Sequence, residues 1–335
     1  MTIKDLSAQT GYSVGTISRV LNNQPNVSEK ARRAILAAAA ESGFQLNANA
    51  KQLKQQQSNT ILAVVKGTSN QFFAGLVEAI QTRLAETTHP LVVDYIDEDD
   101  NEVRRALQLC REKKPLGVLF LGANRQNLEA DFGKIGVPCV VVTNTAAGLN
   151  FPNLSSVASD DRQATREAID ALVRMGHQKF VIIGGEHRVS GTAGLRYRGC
   201  LEAFQANGID FDQDLDYEAV RFSYDGGYAA AERLLERRKG FTALFAMADV
   251  MAIGAIRALT DHGLNVPEDV SVMGFDGLKI GDYTVPKVST VRQNVSALAQ
   301  EAIRLLLENI QKPQEPRHEM VPVTLELKES VKCVK

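Results

Sequence analysis

Apolar residues recur along this chain in two different rhythms. Near the N-terminus they keep helical spacing: Ile17, Val20 and Leu21 stand at i, i+3 and i+4, which gathers them on one helix face with Ile3 and Leu6 turned toward it. From residue 60 the rhythm changes to short apolar runs at Ile61–Val65, Leu91–Tyr95, Gly117–Leu121 and Pro138–Val142. Runs of this kind predict buried parallel strands. Helical stretches near 72–86, 101–113 and 125–134 lie between them. A second series, Phe180–Ile183, Ala243–Ala246 and Val270–Gly274, alternates with helices near 162–175, 192–206, 224–238 and 249–262. A helix at about 295–310 and a strand at Met320–Leu327 close the pattern. Strands alternating with helices predict α/β doubly wound parallel sheets, and two such series predict two lobes. Ligands bind such sheets at the carboxyl ends of their strands, so a cleft between the lobes is expected.

The first segment reads as an all-α head. Thr2 caps a short helix over Ile3–Gln9, with Asp5 near its positive end. Thr10-Gly11-Tyr12 makes a turn, and Ser13 opens a second helix over Val14–Asn22. Two short helices joined by a Gly-containing turn are a helix-turn-helix. Ser28 caps a third helix, Glu29–Ser42, which Gly43 closes. The outer face of the second helix carries Ser13, Thr16, Ser18, Arg19 and Asn22. A helix turned only to solvent usually shows Glu/Lys pairs. Hydroxyls, an amide and one arginine suit a phosphate-bearing partner instead.

Charge strengthens this picture. Residues 1–58 hold seven Lys/Arg against three Asp/Glu, a balance of +4, which leaves −6 for the rest of a chain of net charge −2. A basic head on an acidic body suggests a polyanion bound by the head alone. The remaining composition is that of an ordinary globular protein, with 44% hydrophobic and 23% charged residues among 335. No apolar run reaches the roughly 18–20 residues of a membrane helix. The N-terminus shows no charged-then-apolar export pattern, and a cytoplasmic protein without membrane contact is expected. Cys110, Cys139, Cys200 and Cys333 are scattered singly and read as buried thiols of a reducing compartment. His89, His177, His187, His262 and His318 share no catalytic or metal spacing, and Ile183-Gly184-Gly185-Glu186 lacks the lysine and hydroxyl of a P-loop. Neither an enzyme nor a metal or cofactor is expected.

Three stretches carry a resemblance. Thr2-Ile3-Lys4-Asp5-Leu6, Thr16-Ile17-Ser18-Arg19-Val20-Leu21-Asn22-Asn23 and Val27-Ser28-Glu29 closely resemble the DNA-binding head of the LacI/GalR family of bacterial transcription regulators. The resemblance implies that Val14, Gly15 and Arg19 face base edges in the major groove, while Ser13, Thr16, Ser18 and Asn22 hold phosphates. Residues 47–59, between a head at 1–46 and a body at 60–330, resemble the family's hinge. Leu53 would wedge into the minor groove beside Asn47, Ala50 and Lys51. Leu46 stands where the family usually has proline, and Lys51 where it commonly has arginine.

The body resembles the two-lobed, type I periplasmic-binding-protein fold of that family. Its first lobe is expected at about 60–159 and 291–319, its second at about 162–288 and 320–330, with crossings near 159–162, 288–292 and 318–322. Arg196 begins an Arg-x-x-Gly run and is the strongest implied effector contact, because its forked donors suit vicinal hydroxyls or a carboxylate. Asp276 follows a strand and can accept from sugar hydroxyls. Asp249 reads as a helix cap or a ligand contact. Phe222 would stack on the effector. Phe72 and Phe73 sit in a matching turn, Asn70-Gln71-Phe72-Phe73, with Gln293 on a crossover strand. Thr143 and Ala248 occupy positions where sugar-binding members often carry Asp or Asn.

The resemblance implies a repressor of carbohydrate genes. Two heads of a homodimer would read a palindromic double-stranded operator, and a small sugar-like effector would bias the two states. The tail Lys328–Lys335 is too short for coiled-coil heptads, so a dimer rather than a tetramer is expected. A purine, nucleoside or other metabolite acting as co-repressor is one alternative. A solute-binding protein without a DNA role is another.

Overall fold

The computed structural model describes residues 3–21, 27–42, 58–67, 70–186 and 191–334. The chain divides into two compact units, Met1–Ser58 and Asn59–Lys335.

Three helices build the first unit: α1 (Ile3–Thr10), α2 (Val14–Leu21) and α3 (Glu29–Glu41). Between α1 and α2, Gly11 takes a φ of 72°, which glycine adopts at least cost. Ser13 Oγ accepts from the Thr16 amide at 3.2 Å, and Ser28 Oγ accepts from the Ala31 amide at 3.3 Å. Both caps satisfy donors that a helix start leaves free. Leu6, Ile17, Val20, Ala31, Ile35 and Ala39 form the buried core. The alanines there let α3 lie close against α1 and α2. α1 runs one residue past Gln9, and the Thr10 hydroxyl donates back to the Leu6 carbonyl at 2.7 Å. Thr2, Asn22, Asn23, Gly43, Asn47, Ala50, Lys51 and Leu53 lie outside the described residues.

The second unit holds two six-stranded sheets, ordered β11-β5-β4-β3-β1-β2 and β12-β10-β9-β8-β6-β7. The first sheet comprises β1 (Ile61–Lys66), β2 (Leu91–Ile96), β3 (Gly117–Leu121), β4 (Cys139–Val142), β5 (Leu154–Ala158) and β11 (His318–Met320). The second comprises β6 (Phe180–Gly184), β7 (Tyr217–Ala219), β8 (Ala243–Ala246), β9 (Ser271–Asp276), β10 (Ser289–Gln293) and β12 (Val323–Glu326). Every pair is parallel except β10 with β12. The connecting helices are α4 (Gln71–Leu84), α5 (Glu102–Lys113), α6 (Arg125–Asp131), α7 (Asp161–Arg174), α8 (Thr192–Asn207), α9 (Tyr224–Arg237), α10 (Asp249–Asp261) and α11 (Val295–Gln311). They cover both faces of each sheet, as buried parallel strands require.

Three connections pass between the sheets: Ser159–Asp160 from β5 to α7, Asn294 from β10 to α11, and Val321–Pro322 from β11 to β12. The second corrects the sequence expectation. Ser289–Gln293 is not a crossing that opens the first lobe at 291. It is a strand of the second sheet, with Val291 between Phe275 and Leu325. Val291 buries its side chain in the core of that lobe, which fixes the strand there. The first lobe resumes at α11, whose Leu298, Ala302, Leu305 and Leu306 enter its core. The single strand expected at Met320–Leu327 is two short strands on different sheets. Pro322 lies between them and has no N–H to continue a ladder.

Of the four cysteines, Cys139 and Cys200 are buried as expected. Cys110 is half-buried, its thiol pushed up to about 11 by burial, and Cys333 is exposed, contrary to expectation. No helix among the described residues is long and apolar enough to cross a membrane.

Candidate DNA-reading face and interlobe cleft

α2 sorts its side chains into two sets. Ile17 and Val20 are buried, whereas Ser13, Val14, Gly15 and Arg19 are exposed on the outer surface. Thr16 and Ser18 are half-buried between these sets. The Ser13 and Thr16 hydroxyls lie 2.9 Å apart. Val14 keeps an exposed isopropyl group at the first helical position, where no turn of helix precedes it. Gly15 adds no side chain beside it. The backbone there is open to close approach, and the exposed arginine stands one turn further on.

At the carboxyl ends of the second lobe's strands, where the cleft is expected, the side chains that meet come from separate elements. Arg196 on α8 is 3% exposed. Its Nε donates to Asp161 Oδ1 at 2.7 Å, and its Nη2 lies 3.5 Å from Asp276 Oδ1. Nη1 donates to the Met247 carbonyl, which follows β8. The guanidinium lies 3.5 Å from the centroid of the Phe275 ring, a cation–π contact. Gln293 at the end of β10 donates from Nε2 to Asp276 Oδ1 at 2.9 Å. Two strand ends and two helices thus converge on one guanidinium, and a third strand end braces Asp276.

The Arg-x-x-Gly run explains how they converge. Gly199 faces α7 so closely that a Cβ would overlap the Arg162 carbonyl. The contact brings α8 down onto the start of α7, where Asp161 sits. Asp161 escaped the sequence reading. It follows β5, a strand without an apolar run, and it stands beside Asp160, which caps the helix by accepting from the Gln163 amide at 3.0 Å. A doubled acid at a helix start was the available signal. One caps and the other turns inward.

Backbone geometry marks the same place. Thr143, just past β4, has a φ of 81°, and Asp276, ending β9, has a φ of 110°. Side chains rarely adopt such values, and they cluster where surrounding structure holds strain for function. Thr143 Oγ1 donates to Asn144 Oδ1 at 3.0 Å, and Asn144 Nδ2 donates to Thr192 Oγ1 at 3.2 Å, which joins the lobes.

Burial sets the electrostatics. Asp276 is pushed up to about 6 by burial, against the pull of Arg196. Burial likewise raises Asp161 despite the same guanidinium. Asp249 is pushed up to about 7 by burial and then by the charge of Asp276. Asp249 is the first residue of α10 and does not occupy the cap position, which belongs to Ala248. Its Oδ2 accepts from the Leu278 amide at 2.6 Å and ties α10 to the loop after β9. Gly274 leaves room for that carboxylate, since a Cβ there would overlap Asp249 Oδ1.

Other candidates lie further out. Phe72 and Phe73 belong to the apolar core of the first lobe, with Phe73 against Gly122 at the end of β3. Asn70 caps α4 by accepting from the Phe72 amide at 3.0 Å. Phe222 is half-buried and lies on Gly185, whose missing side chain makes room for the ring. Gly184, ending β6, likewise has no room for a Cβ beside Met247 and Tyr217, so packing accounts for both glycines without a phosphate. Sequence reading also missed Arg221 and its partners. Arg221 Nη1 donates to Asp97 Oδ2 at 3.1 Å and its Nε lies 3.1 Å from Glu98 Oε1, with Asp99 also paired to Nη2. Four histidines serve the fold. His177 contacts Thr242 and the Lys332 carbonyl, His318 contacts Ser156, His89 contacts Asn59, and His262 contacts the Ala258 carbonyl. His187 lies outside the described residues.

Comparison with known proteins agrees with both halves. Residues 2–47 match the lacI family of bacterial regulatory proteins, and residues 169–331 match the periplasmic binding protein-like domain. The transcriptional regulator MalR of Clostridium butyricum is 33% identical over 331 residues, 97% of each chain. A complex of the transcriptional regulator CelR with cellobiose superposes with a TM-score of 0.72 at 28% identity, covering 98% of this chain and 99% of that one. A lac repressor dimer bound to operator and the anti-inducer ONPF superposes with a TM-score of 0.79 at 25% identity, covering 99% of each. With a helix-turn-helix unit, a two-lobed binding unit, and a relative matched over nearly its whole length, this chain belongs to the lacI family of bacterial regulatory proteins and is a DNA-binding transcriptional regulator.

Proposed function

We propose that the protein is a cytoplasmic repressor of carbohydrate genes that binds a palindromic operator as a homodimer and answers to a sugar held between its lobes. The carrying observation is the sorting of α2, which spends Ile17 and Val20 on the core and leaves Val14, Gly15 and Arg19 outward. In this reading Arg19 grips a guanine and Val14 meets a thymine methyl, while Ser13, Thr16, Ser18 and Asn22 hold phosphates. Leu53 is the apolar wedge of the linker, beside Asn47, Ala50 and Lys51. Two heads are needed because one reads too few base pairs for selectivity.

Arg196, Asp276, Gln293, Thr143 and Phe222 form the effector site, with Asp161 orienting the arginine. The cellobiose complex of CelR supports a carbohydrate. The protein acts by binding and carries out no catalysis. The effector shifts the dimer between DNA-bound and free states by its differential affinity for them, with a coupling of about 1–3 kcal/mol. Fluorescence anisotropy on the chain's own promoter fragment tests the head. Arg19→Ala is expected to cost about 1–3 kcal/mol on that fragment and to relax base choice. An equal loss on random duplex removes Arg19 as a base reader.

A further inference from the structure

We infer that the cleft selects a neutral, hydroxyl-donating ligand, a sugar without phosphate or carboxylate, because its guanidinium and amide donors are engaged with protein acceptors while a buried carboxylate oxygen, Asp276 Oδ2, has no donor among the described residues. The inference rests on the reading of the cleft as the effector site and narrows its ligand class.

Each nitrogen of Arg196 already faces a protein acceptor: Asp161 Oδ1, the Met247 carbonyl or Asp276 Oδ1. Two carboxylates outnumber its single charge, and Phe275 covers one face of the guanidinium. The amide donors are engaged as well, Gln293 Nε2 on Asp276 and Asn144 Nδ2 on Thr192. The buried oxygens without a partner among the described residues include Asp276 Oδ2 and Ser159 Oγ. Ser159 is itself buried, in the crossing that leads to Asp161. An ionised carboxylate oxygen only accepts hydrogen bonds. A sugar hydroxyl supplies the donor it lacks, whereas a phosphate or uronate brings further acceptors and a like charge.

The wider charge pattern points the same way. Inside, one guanidinium stands against the buried carboxylates of Asp161 and Asp276. At the mouth, Arg221 stands against Asp97, Glu98 and Asp99. An anion entering this path meets an excess of carboxylate at both stations. Specificity against it arises from repulsion and unmatched acceptors.

Thermal shift and calorimetry on the full chain test this with matched sets: glucose, galactose, ribose, maltose and cellobiose, the phosphates of the monosaccharides, glucuronate and galacturonate, inorganic phosphate, and adenine and guanine. A neutral sugar is expected to raise the melting temperature and to bind at least about tenfold more tightly than its phosphate or uronate counterpart. Ser159→Ala and Asp276→Asn should each weaken that sugar, and Asp276→Asn should narrow its lead over the anionic counterpart. Circular dichroism melts identify a variant that fails to fold, and the parent's preference decides the matter alone. A phosphate or uronate that binds as well as the neutral sugar overturns the inference and leaves the sugar reading standing. Binding by a purine base alone, or by nothing in the panel, overturns the sugar reading and the inference with it.

Discussion

Asp249 shows what burial does to a single carboxylate beside the cleft. Its carboxylate is buried and braces the Leu278 amide. Burial first, and the neighbouring Asp276 second, push its pKa from 3.8 up to about 7. The folded chain therefore retains a proton that the unfolded chain has released, and stability falls as pH rises through that interval. Asparagine preserves the shape and the acceptor for Leu278 but cannot ionise. Asp249→Asn is thus expected to flatten the decline and to make the protein more stable than its parent at about pH 8, by about 1–3 kcal/mol. Urea unfolding at about pH 5 and about pH 8 measures this. If parent and variant lose the same stability between those two conditions, Asp249 does not carry the titration. Asp276, pushed up to about 6, contributes in the same direction at slightly lower pH. Its ion pair with Arg196 makes it the poorer probe, since removing one partner of a buried pair strands the other.

Among the elements, the contact of α8 with α7 governs the cleft. Gly199 has no room for a Cβ beside the Arg162 carbonyl, so Gly199→Ala must push the helices apart. The expected cost is about 1–3 kcal/mol of stability, and Arg196 is drawn away from Asp161, which weakens effector binding. Gly136 has nothing within 4 Å of an added Cβ, so Gly136→Ala is the control and should stay within about 0.5 kcal/mol of the parent. Equal melting curves and equal effector affinities for the two variants would sink the packing argument. The same elements show what hydropathy could and could not read. Strands such as β3 and β8 were legible because all their residues are apolar and buried. β5 was not, because Ser155 and Ser156 interrupt it. Both are buried, and their hydroxyls serve the chain beside them: Ser155 Oγ accepts from the Arg317 amide, and Ser156 Oγ accepts from the Ala146 amide and contacts His318. β11, the strand so braced, is itself polar and short. Burial of a satisfied polar residue leaves no mark in an apolar pattern. Asp161 was lost for the same reason. Arg196 and Asp276 were legible because a motif and a strand end announced them.

Taken whole, the second unit repeats one plan. Its two sheets match strand for strand, β4 with β9, β5 with β10, and β2 with β7. One non-glycine residue at positive φ, Lys114, ends α5, and two others follow the plan, Thr143 after β4 and Asp276 ending β9. So do the loops after β2 and β7, which carry Asp97, Glu98 and Asp99 on one side and Arg221 on the other. All three crossings adjoin β5, β10, β11 and β12 at one edge, whereas β2 and β7 form the opposite edge. Arg221 therefore clasps the lobes at the point farthest from the crossings, where a small rotation opens the widest gap. Exposed ion pairs are individually weak, about 0–1 kcal/mol, and salt screens them. A clasp of that strength suits a switch, because an effector can reinforce it or outweigh it. Arg221→Gln is expected to favour the open form and to weaken effector binding about two- to fivefold at low salt, a change of about 0.5–1 kcal/mol. Near 1 M salt, where the Debye length is only about 3 Å, parent and variant should converge. Calorimetry across a salt series reads the affinity, and small-angle scattering of the ligand-free protein reads the opening. A variant that keeps the parent's affinity at low salt, with an unchanged scattering profile, shows that the clasp is decoration and that the crossings alone set the closure.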